Sequence, residues 1–175
     1  MRRNEIERAA QKLLEANKVV RAPISVEELA RALDIDVRFS ETSDDVSGAL
    51  IRSADSVVIA VNSAQHENRQ RFTIAHELGH FLLHRGTKLH FDDDFRIDYR
   101  DASSSDATKR EEIEANAFAA SLLMPERILT RDWLRLTPDN KRVPDAVRIL
   151  ALRYRVSQKA MELRLVNLGL VSPVE

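Results

Sequence analysis

The sequence predicts an α+β fold, mainly helical, with a small three-stranded sheet packed beside one long central helix. Three observations predict it. Most of the chain repeats its apolar residues every three to four positions, the period of a helix with one buried face. Three short runs, 35–41, 47–53 and 56–62, instead alternate or cluster β-branched residues as strands do. Between them and the later helical segments lies 64–85, a helical stretch so apolar that it must be mostly buried.

Composition sets the bounds. The 175 residues are 43% hydrophobic and 31% charged, ordinary for a folded domain with a core of its own. The expected division is a core over 1–125 and a C-terminal helical lobe over 126–175 packed on it. The chain has no cysteine, which excludes disulfides and thiolate metal sites, so a bound metal must use His, Asp or Glu. A net charge of −1 gives no overall attraction to nucleic acid. No apolar run approaches the roughly 18 residues that span a bilayer. The polar start, MRRNEIERAAQKLLEANK, lacks a signal-peptide core, and the expected location is cytoplasmic.

The elements follow in order. Ile6, Ala9, Ala10, Leu13 and Leu14 share one stripe of a first helix over 4–17, with Asn4 and Glu7 in capping-box spacing. Pro23 breaks the chain, and SVEELARAL opens a second helix with Ser25 and Glu28 in the same spacing. IDVRFSE reads as a strand, and SGALIRS and SVVIAVN read as a hairpin joined through Ala54 and Asp55. The central helix over 64–85 stops at Gly86. A polar, Asp- and Ser-rich stretch over 86–106 reads as a long loop. Helices are then expected over 107–123, 126–136, 143–155 and 157–169, with Ser157 an N-cap and Gly169 a C-terminal stop.

Chemistry concentrates in RFTIAHELGHFLLH, residues 71–84. His76, Glu77 and His80 form H-E-x-x-H. Four residues advance a helix by 400° and about 6 Å, so His76 and His80 point the same way and can converge on one ion. Zinc takes histidine nitrogen at about 2.0–2.1 Å and lowers the pKa of a bound water to about 7. Glu77 is angled toward such a water and is the candidate general base. With 5 histidines and 14 glutamates, a shuffled chain would show this pattern roughly 0.01 times. Gly79 costs a helix interior about 1 kcal/mol against alanine, which implies a close neighbour there.

Two imidazoles and a water leave one position to fill, and the next acidic helix offers Glu111, Glu112 and Glu114. The buried face marked by Ala115, Phe118, Ala119, Leu122 and Leu123 favours Glu111 and Glu112 about equally over Glu114.

RFTIAHELGHFLLH followed by EIEANAFAASLLMPE resembles the ImmA/IrrE family of zinc metallopeptidases, over about Val26 to Pro125. The resemblance implies a zincin-like, gluzincin-type site in which Glu112, opening E-x-x-x-N with Asn116, is the third ligand. It implies one Zn2+ per chain, with Mn2+ or Fe2+ able to replace it on such ligands. It also implies a protein substrate: a helix-turn-helix transcriptional repressor, cleaved in phage, mobile-element or stress-response control. The alternative class is a non-hydrolytic protein-binding regulator, or one half of a toxin–antitoxin pair, that keeps the metal for structure or sensing.

Other residues are weighed against plainer roles. His84 reads first as a helix-end histidine, and otherwise as a ligand-supporting group or substrate contact. Asn116 is a candidate for a hydrogen bond to a ligand. His90 and Tyr99, in the polar stretch, are candidates for the donor that a developing oxyanion needs. His66 reads as a solvated first-turn residue and Trp133 as packing. Segment 141–164 carries seven basic residues against two acidic, and 86–106 three against six; solvated faces and intramolecular pairing account for both. SVEELARALDI resembles half of a helix-turn-helix, but no basic recognition helix follows, so direct nucleic-acid binding is not expected. Oligomeric state has no signature in the sequence.

Overall fold

A computed structural model describes residues 1–42, 46–84, 89–93, 106–137 and 143–172. Its first helix, α1 (Arg3–Ala16), buries Ile6, Ala10, Leu13 and Leu14, the stripe expected from the spacing. The expected Asn4–Glu7 capping box does not form. The helix starts a residue earlier, and Glu5 reaches back to accept from the Arg2 N–H at 2.9 Å. Glu7 is drawn inward by Arg164, whose Nη2 and Nη1 donate to it at 2.5 and 3.1 Å. A buried guanidinium outbids a solvated cap for that carboxylate. Past α1 the chain closes a Schellman turn, with Val19 N–H on Leu14 O and Lys18 at φ 55°.

Helix α2 (Val26–Arg31) leads into a four-stranded sheet of order β1-β3-β2-β4. Strand β1 (Ile35–Ser40) runs parallel to β3 (Val57–Asn62), and β2 (Val46–Arg52) pairs antiparallel with β3 as the hairpin spacing predicts. The expected three strands are therefore all present. The fourth, β4 (Leu89–Asp93), comes from the stretch read as loop and pairs antiparallel with β2. LHFDD has too little alternation to announce a strand.

The central helix α3 (Glu67–Leu83) lies against β2 and β3 on one side and α4 (Asp106–Leu123) on the other. It starts later than the sequence suggests because His66 caps it: its Nδ1 accepts from the Asn68 N–H at 3.1 Å. Its approach to the sheet requires Gly48, where an added Cβ would lie 2.4 Å from Thr73 Cγ2 and 2.7 Å from Ala60 O. Arg71, 4% exposed, ties α3 to the segment before α2 by donating to Ile24 O at 2.8 Å.

Helices α5 (Glu126–Leu136), α6 (Val143–Tyr154) and α7 (Gln158–Asn167) follow, with Ser157 capping α7 by accepting from the Ala160 N–H at 3.1 Å. Trp133, Leu150, Tyr154, Met161 and Leu165 join one buried cluster with Leu14, Leu50, Leu78 and Leu122. Three of the seven basic residues in the C-terminal segment pair within the molecule. Arg153 meets Asp132 at 3.5 Å, Arg155 pairs with Glu67, and Arg164 with Glu7. Among the described residues no helix is long and apolar enough to cross a membrane.

Candidate metal centre

Helix α3 buries Thr73 to His80 without interruption, so its polar side chains face packed helix and sheet rather than water. The reason lies opposite. A Cβ on Gly79 would lie 3.1 Å from Ala115 Cα, 3.2 Å from Ala115 O and 3.3 Å from Phe118 Cβ. The close neighbour expected at that glycine is therefore the α4 backbone. With the two helices this near, groups on α3 reach those on α4 directly.

His76 Nε2 and His80 Nε2 are 3.0 Å apart. Glu112 brings Oε2 to 3.3 Å from the first and Oε1 to 3.2 Å from the second. Ligand atoms of the three residues all fall within 4.8 Å of one another, both histidines buried and Glu112 half-buried. Asn116 Oδ1 lies 2.9 Å from His76 Nδ1, and a carbonyl oxygen accepts only, so Nδ1 carries the proton and Nε2 presents its lone pair. That lone pair faces a carboxylate oxygen and a second imidazole nitrogen. Acceptors aimed at one another in a buried place suit a cation between them. Donors bound at about 2.0–2.1 Å around a tetrahedral ion sit about 3.3–3.4 Å apart, close to the separations found. The residues thus fit a divalent metal ion. Glu77, fully buried, is next in the chain to His76.

Of the three glutamates left open by periodicity, Glu112 meets both histidines. Glu114, the least favoured, is also buried, and its Oε2 lies 3.2 Å from His84 Nε2. His84 in turn places Nδ1 3.1 Å from His80 Nδ1. His84 is the C-cap of α3, as its helix-end reading has it, and from there it meets both His80 and Glu114. Backbone pairing sets His90 opposite Leu50, and Tyr99 lies outside the described residues. Sequence reasoning missed Arg52, whose Nη2 donates to His80 O at 2.9 Å and His84 O at 3.2 Å. The cation gives His80 O a second donor beside the His84 N–H at 3.2 Å and adds a donor at His84 O, but a strand-end arginine carries no local signal of it. The sequence also missed a groove of about 830 Å³ between the N-terminal half of α3, α4 and α7. Phe72, Asn116, Ala120, Met124 and Leu163 line it, with Arg69 and Lys159 among its polar groups. Two of these border the histidines: Asn116 bonds His76, and the Phe72 ring centroid is 6.3 Å from that of His76.

An H-E-x-x-H helix meeting a glutamate-bearing helix beside a small mixed sheet defines the class, a zincin-like metallopeptidase domain. Residues 30–166 match the family described as IrrE N-terminal-like domain, Peptidase M78, and the chain belongs to that family. It is similar to the radiation response metalloprotease IrrE of Deinococcus radiodurans, 37% identical over 101 residues, covering 57% of this chain and 28% of that protein. The same protein of Deinococcus deserti is 35% identical over 92 residues, covering 52% and 31%. The chain thus spans less than a third of the length of either relative. Among solved structures, a Mycobacterium tuberculosis transcriptional regulator shares the fold, with TM-score 0.64 at 19% identity over 93% of this chain and 46% of that one.

Proposed function

We propose that this chain is a zinc-dependent metallo-endopeptidase that cleaves a regulatory protein, a helix-turn-helix transcriptional repressor. One observation carries the hydrolytic reading: two imidazole nitrogens and a carboxylate converge while a fully buried carboxylate follows the first histidine in the chain. His76, His80 and Glu112 would hold the ion. When bound, zinc supplies Lewis acidity at the scissile carbonyl and makes a water acidic enough to lose its proton near neutral pH.

Everything else falls to the protein. A Glu77 carboxylate oxygen accepts the proton of the attacking water as its oxygen bonds the carbonyl carbon. The same oxygen returns the proton to the amide nitrogen as the C–N bond breaks. Asn116 holds the His76 ring in its ligating tautomer. Phe72 and Asn116 continue from the centre into the groove, which gives an extended peptide room beside the reacting bond. The regulatory substrate rests on the resemblance to ImmA/IrrE-like peptidases, and the name of the relatives, a radiation response metalloprotease, agrees with a role in stress control.

The test incubates zinc-loaded protein with a helix-turn-helix repressor encoded beside it and compares Glu77→Gln and Glu112→Ala. Cleavage by the parent, none by Glu77→Gln with zinc retained, and zinc loss in Glu112→Ala are expected. A stable complex without cleavage in any form would replace the peptidase by a non-hydrolytic regulator. Cleavage that survives Glu77→Gln would remove the general base.

A further inference from the structure

The two histidines that meet Glu112 are supported differently. His76 has Asn116, an amide on α4. His80 has another histidine, and behind it a carboxylate. We infer that His84 and Glu114 form a relay that fixes the His80 tautomer, with Nδ1 protonated and Nε2 bare for the ion. The inference rests on the metal reading above and assigns work to two residues outside the ligand set.

Proton accounting along the row gives the direction. Glu114 Oε1 accepts from Arg110 Nε at 2.9 Å and from the Met1 amino group, and the whole residue is 7% exposed. Cationic donors on one oxygen keep the group a carboxylate, so Oε2, 3.2 Å from His84 Nε2, can only accept. His84 therefore carries its proton on Nε2. In neutral His84 the other nitrogen, Nδ1, is then an acceptor. It lies 3.1 Å from His80 Nδ1, which must donate. One proton per imidazole leaves His80 Nε2 with a lone pair, 3.0 Å from His76 Nε2 and 3.2 Å from Glu112 Oε1. With every imidazole neutral, reversing His84 or His80 sets two acceptors face to face along this row, whereas the acceptors left at His80 Nε2 meet only where a cation would sit. The ring centroids advance in even steps, 4.7 Å from His76 to His80 and 5.0 Å to His84, as one residue per turn along a helix requires.

His84 and Glu114 are thus positioning residues acting through His80. The backbone of the row is held as well, since Arg52 donates to both His80 O and His84 O. Hydrogen bonds to the far nitrogen of a ligating histidine are worth about 10- to 100-fold in metal affinity. Glu114→Leu and His84→Phe should each weaken zinc binding by about that factor. Glu114→Gln keeps an acceptor oxygen and should restore most of it.

The experiment reads protons before metal. Long-range ¹H–¹⁵N spectra of the metal-free protein should show His80 protonated on Nδ1 and His84 on Nε2 in the parent and in Glu114→Gln. In Glu114→Leu both assignments should be lost or mixed, with an unchanged circular dichroism melt showing that the fold persists. Competition with a chelator for Zn2+ alone then gives affinities. A parent spectrum with His80 protonated on Nε2 would overturn the relay. So would a folded Glu114→Leu that binds zinc within twofold of the parent. A parent that takes no zinc would sink the metal reading instead, and the tautomers would still judge the relay. Should Glu114→Leu fail to fold, the parent spectrum and the Gln variant decide alone.

Discussion

The α3–α4 seam and the contacts of α1 and α5 with the last two helices both bury charge, and they do it in opposite ways. Along α5 and α7 the buried ions Asp132 and Arg164 each meet their opposite. Arg164, 4% exposed, is closed by Glu7 and by Met124 O at 2.9 Å. Asp132, 5% exposed, accepts from Tyr154 Oη at 3.1 Å with Arg131 and Arg153 alongside. Burial and the neighbouring Asp132 charge push the Tyr154 phenol well above its ordinary value, so it stays a donor. In the seam, lone pairs and a carboxylate converge on one another. A polar cluster that completes itself holds a fold together. One that gathers acceptors suits a cation, and that distinction separates framework from candidate site.

The comparison breaks most visibly at Glu77. Glu77→Gln should lower turnover by about 10²- to 10⁴-fold while leaving zinc content and melting temperature near the parent's. Initial rates beside metal analysis check it. The converse is Glu7→Ala, which strands a buried guanidinium and should cost about 3 kcal/mol in urea unfolding with zinc affinity of the folded protein unchanged. Gly79→Ala should disturb both regions' logic at once. Better helix propensity is outweighed by the α4 backbone it meets, giving a loss of about 1–2 kcal/mol. Because it pushes Glu112 away from the histidines, it should also weaken zinc binding measurably by titration.

Acid sharpens the contrast. Burial alone would raise the Glu7 pKa, but hydrogen bonds and charge from Arg164, with Ser121 and Arg3, hold it below its ordinary 4.5. A depressed folded value means that the stabilisation is present above about pH 4.5 and is lost as pH falls through the lower folded value. The stability difference between parent and Glu7→Gln should therefore be constant near neutrality and shrink below that point in urea titrations. The smallest effect belongs to a helix end. Lys18 is exposed in the left-handed region at φ 55°, and Lys18→Gly should stabilise by up to about 1 kcal/mol without touching metal or activity.

The metal helix, its two histidines and the meaning of Gly79 were legible because helical period alone fixes which residues share a face. Choosing among Glu111, Glu112 and Glu114 was not, since each lies near the buried side of α4 and only the approach of α3 decides. Family resemblance singled out Glu112, and the geometry brings that residue to the histidines. Strand β4 stayed hidden because backbone pairing with β2, rather than side-chain pattern, makes it a strand. Glu7 misled because local capping and a partner 157 residues away compete for one carboxylate, and sequence spacing shows only the first.

The missing methyl at Gly79 carries a thermodynamic consequence. Two of the three candidate ligands ride on α3 and the third on α4, so whatever grips all three also clamps the helices shut. Ion at a hundred times its dissociation constant would add about 2.7 kcal/mol to the folded state. Depletion by a chelator would withdraw that increment, so a melt followed with and without chelator would read how strongly the three residues hold an ion across the α3–α4 contact.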